Sequence, residues 1–171
     1  MVRIIGAILL IIGTSGMAYT YCFEQRLRLR LLHKMRDIFV LIQKEMEYLK
    51  ATMPEICLHL SEQNNSLSSV FGDIYMETEL NNGRSFNAIW RHHFAEKLKK
   101  EPLKEDEKNL IMLFPESLNY RDSDGQADGV KKYINELNSR INEIDAEIKN
   151  KNKVVMCLGV MSGIITVVII I

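Results

Sequence analysis

The sequence has few cysteines, no net charge and, apart from Arg3, no charged side chains near either end. Three cysteines, Cys22, Cys57 and Cys157, are too few for a disulfide framework and favour a reducing compartment. The 22 basic and 22 acidic side chains cancel, so no overall field would attract DNA or an acidic substrate. Apart from Arg3, every charge lies within residues 24–153, where 43 of 130 residues are charged. This distribution excludes both a freely soluble globular protein and a polytopic transporter.

Two uncharged segments are long enough to cross a membrane. As helices, residues 4–23 would span about 30 Å and residues 154–171 about 27 Å, close to the hydrocarbon thickness of a bilayer. Basic residues follow the first segment and precede the second, which favours a cytosolic location for the chain between them. We therefore predict a transmembrane helix within 1–23, a cytosolic domain at 24–153 and a second transmembrane helix at 154–171. A cleavable signal peptide is the alternative for the first segment.

Small residues in the second segment are candidates for helix contacts within the membrane. Gly159 and Gly163 form a GxxxG pattern, and the first segment contains Gly13, Gly16 and Ala18. Small residues allow helix backbones to approach closely where lipid provides no hydrophobic driving force. We predict that Gly159 and Gly163 pack against the first span or against a partner helix.

The residues next to both spans have helical patterns. Apolar residues recur every three or four positions from Leu27 to Leu49, so the first helix is expected to continue to about residue 51. A heptad seam runs from Val130 to Ile148. Because both helices leave the same face of the membrane, we predict an antiparallel stalk in which Leu27 lies near Ile144 and Ile148. Pairing of the second seam between two chains, giving a homo-oligomer, is the alternative.

Shorter helices are predicted between these two long ones. Thr52 and Glu55 have the spacing of a capping box, and Ser85 is placed to cap another helix. Pro102 separates that helix from the next, which Pro115 must end or kink. The sequence contains no alternating strand pattern. The predicted fold is therefore all-α, a cytosolic bundle of about six helices between two transmembrane helices.

The patterns tested for chemistry do not indicate an active site. A calcium loop starting at Asp124 would have Asn135 where a bidentate glutamate is required. His92 and His93 are adjacent, whereas zinc ligands on a helix are spaced by three or four residues. The lysines of residues 97–104 alternate with acidic residues, which disfavours nucleic-acid binding. We predict no enzymatic activity, no cofactor, no metal site and no nucleic-acid partner.

A predicted turn at residues 114–126 is the candidate partner-binding site. It combines aromatic and charged residues, and turns on rigid scaffolds often have functional roles. We nominate Arg121, Asp122 and Gln126 as its contact residues. The alternative is that Asp122 caps the last helix and Phe114 fills the core. Glu45 and Glu47 are further candidates for a partner contact.

Several segments of the chain together match the pattern of one family. These segments are Glu45-Met46-Glu47-Tyr48, Met53-Pro54-Glu55, Ser85 to Trp90, Leu103-Lys104-Glu105-Asp106, Leu113-Phe114, Leu118, Asp122 and Gly125-Gln126. They resemble the stage III sporulation protein AB of endospore-forming Firmicutes. The resemblance covers essentially the whole chain, although Pro115 and Asn119 replace two glycines of the family pattern.

The resemblance implies a role in a membrane complex. The cytosolic domain of this family is similar to the helical domain of type II secretion and type IV pilus platform proteins, which dock a ring ATPase. The implied partners are the ATPase called stage III sporulation protein AA, other stage III sporulation membrane proteins and membrane lipid. The implied location is the mother-cell membrane that surrounds the forespore, with the middle domain in the cytosol. A structural or oligomeric channel subunit without direct ATPase contact is the alternative.

Overall fold

The computed structural model describes residues 2–63, 66–80, 83–118 and 123–170, without the side chains of residues 2–5, 7–11, 123, 124, 167, 169 and 170. Within these ranges the chain is helical and contains no strand, as predicted. A π-turn at Glu45–Leu49 follows the first helix, and a 3-10 segment at Phe114–Leu118 follows the fifth. The α-helices are α1 Val2–Lys44, α2 Met53–Glu62, α3 Ser68–Glu79, α4 Phe86–Leu98, α5 Glu105–Met112 and α6 Ser123–Ile170.

The chain divides into two compact units. Unit 1 contains the part of α1 up to Leu31 and the part of α6 from Arg140 onward. Unit 2 contains residues 32–139 and therefore holds the four shorter helices together with the remaining parts of α1 and α6.

Unit 1 is an antiparallel pair of helices. The thiol of Cys22 donates to the main-chain oxygen of Asn152 across 3.9 Å, and Ala18 lies against Gly159. Residue numbers rise along α1 as they fall along α6, which confirms the predicted direction of the stalk. The seam residues Ile144 and Ile148 are buried within this chain, so they are not free to pair with a second copy.

The two predicted membrane spans coincide with the first part of α1 and the last part of α6. Within the part of the chain that is described, no helix has a stretch apolar and long enough to cross a bilayer. The predicted spans include residues 4, 5, 7–11, 167 and 169–171, whose side chains lie outside the described residues.

The short helices of unit 2 begin and end where local sequence signals place them. The Thr52 N–H donates to the Glu55 carboxylate over 2.7 Å at the start of α2, and the Ser85 hydroxyl accepts from the Ala88 N–H over 3.3 Å at the start of α4. Gly83 has a φ of 71°, a left-handed conformation that suits glycine. The α-helical pattern of α5 ends before Pro115, as predicted.

Aromatic side chains form the core of unit 2 around Trp90. Its indole stacks on Phe94 at a centroid distance of 4.2 Å and lies 4.9 Å from Phe114. Phe114 also stacks on Phe39 of α1 at 4.5 Å. Each fully buried side chain of this size contributes about 2–3 kcal/mol through the hydrophobic effect. The interpretation of Phe114 as a core residue is therefore confirmed.

The last helix begins at Ser123, within the candidate turn at residues 114–126 and where the alternative, a cap at Asp122, would start it. Asp122 itself lies outside the described residues. Residues 123–126 were expected in a turn, but they form the first turn of α6. Gly125 and Gly129 each disfavour a helix by about 1 kcal/mol relative to alanine. The local helical preference of this segment is therefore weak. Burial of Ala127 and Val130 in the core offsets that cost. Gln126 consequently lies on a helix, and the rejected calcium loop from Asp124 is helical.

Candidate partner-binding surface

The junction between α1 and α2 has an unusual backbone. The last turn of the first helix, Glu45–Leu49, is a π-turn, and Lys50 then takes a left-handed conformation with φ 53° and ψ 28°. Among the described residues, Lys50 is the only one other than glycine with a positive φ. Such a conformation costs about 1–2 kcal/mol for a residue with a side chain. Strained residues and π-turns both cluster at functional sites.

The π-turn directs two large apolar side chains into solvent. Met46 is buried, whereas Tyr48 is 74% exposed and Leu49 is 66% exposed. Burial of a large apolar side chain stabilises a fold by about 1.5–3 kcal/mol, and neither Tyr48 nor Leu49 makes this contribution. Contiguous apolar surface of this kind is typical of sites that contact another protein.

Acidic side chains precede and follow these apolar residues in the chain. Glu45 contacts the Nδ1 atom of His59 at 2.9 Å, and the Glu47 carboxylate accepts from Gln43 over 3.3 Å. The hydrogen bond with Glu45 raises the pKa of His59. The Thr52 N–H lowers the pKa of Glu55, which keeps that carboxylate charged. We call residues 45–50, Glu55 and His59 together the π corner.

Of the three nominated site residues, Gln126 is the one that the structure describes. Arg121 and Asp122 lie outside the described residues. Gln126 is half-buried on α6. The neighbouring residue Glu116 is exposed and forms an ion pair of 2.9 Å with Arg91.

The long helices α1 and α6 meet within unit 2, where Phe39 contacts Tyr133 at a centroid distance of 5.3 Å. Glu45 follows Phe39 by six residues at the end of the first helix, and Gln126 precedes Tyr133 by seven residues on α6. Two of the sequence-nominated features, Glu45 and Gln126, therefore belong to the two long elements of this unit.

Sequence analysis missed a second charged cluster at the junction of α3 and α4. The Glu77 carboxylate contacts His93 Nε2 at 2.7 Å and also pairs with Arg84. The hydrogen bond with His93 lowers the pKa of Glu77. The partners are separated by 16 residues in the chain, so only the folded structure brings them together. This cluster ties α3 to α4 and presents no nucleophile.

Cys57 is unsuited to nucleophilic chemistry. It is fully buried in α2, and burial raises the pKa of its thiol to about 12. The reactive form of cysteine is the thiolate, which is therefore scarce at neutral pH. Among the described residues, no three histidine, cysteine or acidic side chains are grouped so that they could hold a metal ion.

Gly159 of α6 lies directly against α1 in unit 1. A Cβ atom built on it would lie 2.7 Å from the Cβ of Ala18 and 3.5 Å from the main-chain oxygen of Thr14. Gly163, one turn further along α6, is buried. The absence of a side chain at Gly159 is thus what permits this separation of α1 and α6.

The sequence of the chain was compared with protein families, curated proteins and solved structures. Residues 3–171 match the model of the stage III sporulation protein AB family. No curated protein and no solved structure is similar enough to the chain to count as a match. The family match includes the π corner, Gln126 and both long helices.

Proposed function

This chain belongs to the stage III sporulation protein AB family, and we propose that it is a membrane-anchored adaptor of a secretion-like sporulation complex. In this proposal residues 24–153 lie in the mother-cell cytosol and dock a ring ATPase, stage III sporulation protein AA. The adaptor would thereby support the channel to the forespore, together with other stage III sporulation membrane proteins.

Membrane anchoring is supported by the distribution of apolar side chains in unit 1. Met17 and Leu158 are 77% and 63% exposed, although they belong to segments without any charge. An uncharged helix pair with outward-facing apolar residues fits a lipid environment, where such residues face hydrocarbon. Basic residues on the unit 2 side of both segments favour a cytosolic unit 2.

The observation that carries the docking proposal is the pair of exposed residues Tyr48 and Leu49 on a strained turn. An apolar centre with an acidic rim is complementary to a partner surface that has an apolar pocket lined by arginine or lysine. We therefore assign the ATPase contact to the π corner, and we keep Arg121, Asp122 and Gln126 as a second candidate contact.

A binding measurement with the full-length chain in detergent tests this assignment. The chain is titrated with the ring ATPase encoded in the same genome, and affinity is measured by calorimetry. The double variant Tyr48→Ala/Leu49→Ala is expected to weaken binding at least tenfold. The matched control is Met76→Ala/Leu80→Ala, which removes two apolar side chains of similar exposure, 65% and 69%, from the end of α3.

The remaining outcomes distinguish the alternatives. Loss of binding in Arg121→Ala/Asp122→Ala but not in the π corner variant would place docking on residues 119–126 alone. Equal losses in the π corner and control variants would contradict a specific site. Absence of binding by the unaltered chain would favour a structural channel subunit without ATPase contact.

A further inference from the structure

An apolar groove runs between α1 and α6 within unit 1. Its volume is about 530 Å³, and its walls include Met17 and Ala18 from α1 and Leu158, Gly159 and Ile165 from α6. From Val155 to Ile165, α6 extends about 15 Å, which matches the depth of about 15 Å of one membrane leaflet. The groove therefore has the length and the apolar lining that a lipid acyl chain requires.

One end of the groove is polar. A second hollow of about 280 Å³ shares Tyr21 and Val155 with the groove and continues to Asn150 and Lys151. The two hollows together form one continuous surface. It is apolar along its length and presents a phenol, an amide and an ammonium group at one end.

The polar end lies in a basic part of the chain. Residues 24–31 and 145–153 contain six basic and three acidic side chains. The ammonium of Lys151 lines the second hollow and pairs with Glu147. The excess of positive charge favours a ligand whose head is an anion.

We propose that this groove binds one anionic phospholipid, with the headgroup phosphate at Lys151 and Tyr21 and an acyl chain along the apolar walls. The proposal rests on the membrane insertion proposed above. A zwitterionic phospholipid fits the apolar walls equally well. It has no net charge, so the basic end attracts it less than an anionic phospholipid.

Native mass spectrometry of the delipidated full-length chain in detergent tests the site. The chain is titrated with dimyristoyl phosphatidylglycerol or with dimyristoyl phosphatidylcholine, which has the same acyl chains. We expect the unaltered chain to retain phosphatidylglycerol at concentrations at least fivefold lower than phosphatidylcholine. Lys151→Gln should abolish this preference. Lys149→Gln should keep it, because Lys149 carries the same charge nearby but does not line the groove.

A second variant tests the apolar part. Ser162 lines the groove, and Ser162→Phe should fill it and reduce retention of both lipids at least threefold. Three results would overturn the proposal. Ser162→Phe could leave lipid retention unchanged, or the unaltered chain could retain the two lipids equally. Lys149→Gln and Lys151→Gln could also lower retention by the same factor. Competition by glycerol phosphate as strong as that by the lipid would also overturn it, because the acyl chain would then be unnecessary.

Flotation with phosphatidylcholine vesicles separates this proposal from the one on which it rests. A chain that floats with the vesicles but shows no preference for phosphatidylglycerol would retain its membrane anchoring and lose the lipid site. A chain that does not float would contradict both.

Discussion

The indole N–H of Trp90 donates a hydrogen bond of 3.1 Å to the main-chain oxygen of Ile111. Both residues are fully buried, so the bond satisfies two polar groups that water cannot reach. It also joins α4 to α5 across the segment that contains Pro102. The core of unit 2 thus contains this buried hydrogen bond in addition to its aromatic packing.

Substitution of this indole should therefore be costly. Trp90→Phe leaves a cavity and removes a buried hydrogen bond, and we expect it to lower the free energy of unfolding by about 2–4 kcal/mol. Chemical denaturation of the full-length chain in detergent, followed by circular dichroism, measures the change. Phe86→Leu, at the half-buried edge of the same cluster, should cost less. Equal losses would contradict a special role for the hydrogen bond.

The buried Glu107 is expected to stabilise the start of α5. Its carboxylate accepts from the Lys104 N–H over 2.9 Å, and the residue is fully buried. Glu107→Ala should lower the free energy of unfolding by about 1–3 kcal/mol, because the N–H loses its partner near the positive end of a helix. Glu105→Ala, in the same helical turn but exposed, should change it by less than about 0.5 kcal/mol. Thermal unfolding by circular dichroism compares the two, and similar effects would contradict the prediction.

A methyl group at Gly159 should push α1 and α6 apart. Gly159→Ala places a Cβ 2.7 Å from that of Ala18, closer than real contacts allow, so the thermal midpoint of unit 1 should fall. Gly16→Ala should be neutral or stabilising, because a Cβ there would meet no atom within 4 Å among the described residues. The double variant Gly159→Ala/Ala18→Gly should restore stability. Failure of this rescue would show that the two positions are not in contact.

The ion pair between His59 and Glu45 should make stability depend on pH. Because the pKa of His59 is raised in the folded state, its contribution is fully present below the unfolded value of about 6.5. It is lost as the pH rises through the folded value. His59→Gln should therefore lower the thermal midpoint more at pH 6 than at pH 8. A loss independent of pH would contradict the charge effect.

Local signals explain which parts of the fold the sequence predicts. The starts of α2 and α4 follow from Thr52, Glu55 and Ser85, because each cap bonds to residues within one helical turn. The end of α5 follows from Pro115, whose missing N–H prevents continuation of the helix. The heptad seam of α6 predicts its buried face because helical periodicity persists along the whole segment.

Features that depend on distant residues were not predictable. The contact of Glu77 with His93 and the π-turn before Lys50 result from packing between helices. The signals for the start of α6 conflicted, because Asp122 was one candidate cap whereas Gly125 and Gly129 weaken the local helical preference. At the candidate site, Glu45 was nominated from its segment, but the exposure of Tyr48 and Leu49 depends on how the turn is folded.

The position of Trp90 gives the protein an internal optical probe. It is the single tryptophan in the chain, it is fully buried, and it lies in unit 2. Its emission should be blue-shifted in the folded state and move to longer wavelength when water enters this core. Fluorescence therefore reports the unfolding of unit 2 alone, whereas circular dichroism records the helices of both units. Differences between the two signals would show whether the units unfold together or in separate steps.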